Sequence, residues 1–146
     1  MIKKLIATLS LIPALSLGIC SAQASEVDLV GTMGSLQYFA HKTHLSLNAK
    51  NQELANFYAH EIEEQLEALE EIKEYHGQPI GKLSKSMLVP SFEAFEASLK
   101  AGDWSAAQQK FQTVIDTCNA CHQATQHGFI KIELSDKNPY MQAFEM

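Results

Sequence analysis

The chain has 146 residues, 46% of them hydrophobic, with 17 acidic residues, 11 lysines and no arginine, for a formal charge of −6. That length suits one domain, and so acidic a surface repels phosphate backbones, which excludes nucleic acid as an expected partner. Three cysteines are too few for a disulfide framework.

Residues 1–24 read as a secretory signal peptide. Lys3 and Lys4 form its positive start, Leu5 to Ile19 its apolar stretch, and Ala22-Gln23-Ala24 a small-x-small cleavage site. Lipoprotein processing needs a small residue before its cysteine, and Ile19 precedes Cys20, so cleavage near Ala24 is expected rather than lipidation. No later stretch is apolar for long enough to span a bilayer. The expected location is the periplasm, with residues 25–146 forming one domain. That domain keeps nine lysines against all 17 acidic residues, a formal charge of −8, and would attract a basic partner protein.

Four helical segments follow from apolar residues three and four apart. The first covers about Asp28 to Ala49, with Leu29, Met33, Leu36, Ala40, Thr43 and Leu47 inward. The second covers about Gln52 to His76, with Leu54, Tyr58, Ile62, Leu66, Leu69 and Ile72 inward. Residues 61–74 hold seven glutamates and one lysine, which reads as a solvated face or as a docking patch for a basic partner. Gly77, Pro79 and Gly81 then break the chain. The third segment starts at Ser84 or Ser86 and runs to Lys100, with Leu88, Phe92, Phe95 and Leu99 inward and Pro90 in its first turn. Ala101-Gly102 stops it, and Asp103 caps the fourth, which carries Trp104, Ala107, Phe111, Val114, Ile115 and Cys118 inward and ends near Thr125 to Gly128. Short connections predict an all-α, antiparallel up-down-up-down four-helix bundle. Residues 129–146 form a non-helical tail in which Phe129, Ile130 and Ile132 are placed to cover the site or the bundle's end.

Residues 118–122 read Cys-Asn-Ala-Cys-His, the pattern for covalent attachment of a c-type haem. Each thiol, of Cys118 and of Cys121, can add its S–H across one vinyl group of the porphyrin. His122 then supplies the proximal iron ligand. Cys118 and His122 are four apart, so they share the inward face of the fourth helix. A bare CxxC can also be a redox dithiol or part of a zinc site. Export favours haem, because haem is joined to such proteins outside the cytoplasm.

In the predicted bundle the start of the first helix lies level with the end of the fourth. Met33 falls in that window and is the candidate distal ligand, or else it fills the core beside the haem. Gly31 and Gly34 flank it and would let a flat macrocycle approach the backbone. His41 and His44 lie roughly 12 and 17 Å further along the axis, too far to reach the same iron. His60 and His76 read as surface residues, and His127 as a neighbour of the haem edge.

The segment Cys118-Asn-Ala-Cys-His-Gln-Ala-Thr125 with Phe129-Ile130, the stretch around Met33, Gln37 and Lys42, His60-Glu61 and Asn138-Pro139-Tyr140 together resemble the exported four-helix monohaem cytochromes, similar to the cytochrome c prime superfamily. The likeness covers nearly all of residues 25–146, and only the haem motif in it is highly specific. It implies one covalent haem c near the C-terminal end of the fourth helix, and a homodimer, since many members of that group pair through their first two helices. Those members carry a basic residue shortly after the proximal histidine. Gln123 to Gln126 contain none, so five-coordinate iron does not carry over.

The expected function is therefore that of a non-enzymatic periplasmic cytochrome, a one-electron carrier serving redox partner proteins. The alternative is a haem protein binding nitric oxide or carbon monoxide, with Met33 and Leu36 as a steric wall. A third reading keeps the cysteines as a non-haem thiol or zinc site.

Overall fold

Helix α1 (Leu29–Asn48) and helix α2 (Gln52–Glu70) are joined by a turn that their end residues dictate. The computed structural model describes residues 28–145; the signal peptide, Cys20 and the cleavage site lie outside the described residues. Lys50 adopts φ 53°. Its N–H reaches Leu47 O at 3.1 Å, and that of Asn51 reaches Ser46 O at 3.0 Å, which closes the left-handed C-terminal motif. The Asn51 side chain then accepts from Leu54 N at 3.1 Å and starts α2.

The second helix ends at Glu70, six residues before the predicted His76. The chain reverses instead through Tyr75 and Gln78, which exchange backbone bonds of 2.9 and 3.0 Å. His76 and Gly77 between them have φ of 48° and 79°, the pair of positive values that a tight I′-type reversal needs. Helix α3 (Ile80–Leu83) accordingly begins before the predicted Ser84. Gly81 N donates to Ile72 O at 2.8 Å, and a Cβ on Gly81 would collide with the Glu70 carbonyl. Only glycine allows this approach.

A π-turn (Ser84–Leu88) connects α3 to α4 (Val89–Lys100) in one continuous helical run. Pro90 explains the widening. It has no N–H for the carbonyl four residues back, and its ring crowds that turn. Val89 N bonds Ser84 O, five residues back, which relieves the crowding. Gly102, at φ 70°, ends α4. Asp103 accepts from Ala106 N at 3.0 Å and caps α5 (Trp104–Ala124).

The described residues are thus all-helical, with no strand and a single isolated bridge at Tyr75 and Gln78. Packing is most extensive between α1 and α2 and between α4 and α5, with lighter contacts of α2 on α4 and α1 on α5. The core runs along the predicted stripes, with Leu47, Leu69, Phe95, Phe111 and Ile115 almost wholly buried. No helix of the described residues is long and apolar enough to cross a membrane.

The tail is non-helical, as expected, and lies against the helices. His41 Nε2 donates to Ser135 O at 2.8 Å, so its Nδ1 accepts from Tyr140 Oη at 3.0 Å. His44 meets Asp136 at 2.8 Å, and this hydrogen bond holds the Asp136 carboxyl below its ordinary range. Lys42 is buried; its Nζ lies 4.7, 5.2 and 4.8 Å from the rings of Tyr38, Tyr58 and Tyr140 and donates to Gln142 Oε1 at 2.7 Å. Phe144 packs on Leu45 and Tyr58. We expect Lys42→Ala to detach residues 140–144, with cleavage there in limited proteolysis while α1 and α2 stay intact.

Candidate haem cavity

Near the C-terminal end of α5 the helices part around a cavity of about 340 Å³. Met33 from α1 and Cys118, Cys121 and His122 from α5 all line it. The four predicted site residues therefore meet at one place, although 85 positions separate Met33 from Cys118. Most of the wall is aliphatic, supplied by Leu36, Ile62, Leu66, Leu69, Leu88 and Val114. Such a wall suits an apolar ligand better than a hydrated ion.

Gly34 also lines the cavity, and a Cβ there would meet nothing within 4 Å. Its missing side chain leaves room on the Met33 wall. Gly31 differs from expectation. It does not line the cavity, and a Cβ on it would press on the Asp28 carboxylate. Gly34→Phe is expected to fill the space and cut haem incorporation at least tenfold, read as absorbance per mole of chain, while helix content stays unchanged.

His122 is held by the tail. Its Nδ1 lies 2.9 Å from Ile130 O. A carbonyl only accepts, so Nδ1 carries the proton and Nε2 is left with a lone pair for ligation. The same tautomer is found in metal-bound histidines whose other nitrogen donates to a carbonyl.

The two cysteines are free thiols. Burial, with a smaller contribution from Cys121, pushes the Cys118 thiol up to about 12, and burial raises Cys121 too. A redox dithiol needs the opposite shift. Cys121 Sγ sits 3.8 Å from Met87 Sδ on the π-turn, a soft contact that sequence spacing does not reveal. In the folded chain Cys118 stays protonated up to about pH 12, while an unfolded thiol ionises near 9. Stability from the buried thiol is therefore complete below pH 9 and lost as pH rises toward 12. Alkylation of Cys118 at pH 8 should run at least tenfold slower folded than unfolded, as read by mass spectrometry.

The remaining histidines stay outside the cavity. His41 and His44 bind the tail as described, and His60 faces Glu63 and Glu64 on the surface at 3.4 and 3.6 Å. His127, predicted beside the haem edge, does not line the cavity. Its Nδ1 bonds Thr125 O at 2.8 Å, within its own turn. Phe129 is 81% exposed, whereas Ile130 and Ile132 line the cavity. Of the three tail residues expected to cover the site, two do. The glutamates of residues 61–74 are mostly at the surface, and Glu70 bonds Lys85 of the π-turn at 3.0 Å. Among the described residues no three His, Cys, Asp or Glu side chains converge as a metal-binding group.

Comparison of the chain with known families, curated proteins and solved structures finds no match.

Proposed function

We propose that the protein is an exported monohaem c-type cytochrome, built as an antiparallel up-down-up-down bundle, that carries one electron at a time. The observation that supports this most is the convergence of Cys118, Cys121, His122 and Met33 on one apolar cavity. A bound haem would supply an iron that alternates between two oxidation states. Cys118 and Cys121 would hold the macrocycle as thioethers, each S–H adding across a vinyl double bond. His122 Nε2 would be available to the iron as proximal ligand, and Met33 would be the candidate for the sixth position. The aliphatic wall would keep water away from a bound iron. The glutamates of residues 61–74 would draw in a basic redox partner, and a homodimer fits the resemblance. The periplasm is the proposed location, with the domain beginning after Ala24.

The test is to produce the full chain in a host that matures c-type haem. A red protein that keeps its haem through denaturation is expected. A colourless protein that binds zinc would overturn the reading. A sulfur-to-iron absorption band in the oxidised protein, absent from Met33→Ala, would establish Met33 as the sixth ligand. The alternative function, binding of nitric oxide or carbon monoxide, draws on the same wall, since small apolar gases partition into it. High-spin iron that takes up either gas without displacing a sulfur ligand would support that function.

A further inference from the structure

Asn119, the first residue between the two cysteines, makes a contact that the motif does not require. Its side-chain Nδ2 donates to Ile132 O at 2.9 Å, and its Oδ1 accepts from Ile132 N at 2.8 Å. One amide side chain thus satisfies both backbone groups of a tail residue, like a rung of a β-ladder built from a helix.

Two positions earlier in the tail is Ile130, whose carbonyl accepts the His122 Nδ1 proton at 2.9 Å. Asn119 and His122 are three apart on α5 and share a face, so the tail passes over both. The entry to this stretch is also set. His127 N bonds His122 O at 2.7 Å, Ile130 N bonds His127 O at 2.8 Å, and Gln126 takes φ 64°. The turn fixes the near side of the Ile130 carbonyl, and Asn119 fixes the far side. Besides the histidine's bond, those of Asn119 are the side-chain hydrogen bonds that tie residues 129–132 to α5.

We propose that Asn119 is a positioning residue for the proximal ligand: by clamping Ile132 it holds the Ile130 carbonyl on His122 Nδ1. The inference rests on the haem reading above and goes beyond it. A carbonyl on Nδ1–H makes Nε2 a stronger donor, which favours the oxidised iron.

The test compares Asn119→Ala and Asn119→Gln with the parent as haem-loaded full chains. Alanine is the better helix former, so α5 persists in Asn119→Ala. Three quantities are read: hydrogen exchange at the Ile132 amide, the iron–histidine stretching frequency of the reduced protein, and the reduction potential. Asn119→Ala is expected to speed Ile132 exchange at least tenfold, lower the stretching frequency, and favour the reduced form about tenfold, which for one electron is about 59 mV upward. Asn119→Gln keeps both amide functions and should fall between Ala and the parent. Faster exchange with unchanged frequency and potential would make Asn119 merely structural and overturn the proposal. Unchanged exchange would overturn the clamp itself. A colourless parent protein would remove the haem reading and this inference together, a failure visible before any variant is made.

Discussion

Cys118→Ser combined with Cys121→Ser is expected to give a chain that surrenders all of its haem on acid or organic denaturation, whereas the parent retains it. On the proposed attachment, two thioethers would join the macrocycle to α5 and survive loss of the fold. In the double variant only His122, Met33 and the cavity wall would be left to hold it, and these residues line one cavity only while the helices are packed. Each single variant should keep haem through its remaining thioether. A haem stain after denaturing electrophoresis reads the result directly. A parent that loses haem there would show that no covalent bond forms. A double variant that keeps it would place the attachment elsewhere.

Phe95→Ala is expected to destabilise the protein by about 3–5 kcal/mol, the usual cost of removing a fully buried aromatic ring. Phe95 is 0% exposed, with ring centroids 5.7 Å from Phe92 and 4.9 Å from Phe111. It joins α4 to α5, so its loss leaves a void in the most extensive of the later helix contacts. Total stability of a domain this size is only about 5–15 kcal/mol, so a large fraction is removed. The denaturant midpoint should fall with an unchanged slope. Phe95 does not line the cavity, so the absorption spectrum of the folded fraction should match the parent. A shift below about 1 kcal/mol would mean the site relaxes to fill the gap.

The helices and the site were readable to different depths. The stripes of all four segments appeared in the residue order because a 3.6-residue period is a local property. The caps Asn51 and Asp103 are likewise local, since their side chains reach only three residues ahead. The end of α2 was misplaced because nothing between Glu70 and His76 breaks a helix by propensity. What stops it is Gly81 closing onto the Glu70 and Ile72 carbonyls, a contact between segments that periodicity does not encode. The π-turn has a local cause in Pro90, but its position depends on which carbonyl loses its donor.

For the candidate site, the meeting of Cys118, Cys121 and His122 at one place is legible because they lie three and four residues apart on one helix. Met33 followed from the register of the first segment against the fourth, and it lines the same cavity. Gly31, two residues before it, does not follow, because two helical steps turn it to the other side of α1, toward Asp28. Asn119, Met87 and the Ile130 carbonyl carried no signal in the residue order. Asn119 is an ordinary filler of the motif until the tail is laid against it. The Ile130 carbonyl belongs to the backbone, which is the same at every residue.

Residue order alone thus carried the helical class, the inward faces and the haem motif, all of which rest on spacing along one helix. The folded arrangement settled where α2 stops, which glycine opens the cavity, and how the tail holds the His122 tautomer. Those depend on donors and acceptors brought together from distant segments, and such meetings are decided by how the helices and tail pack.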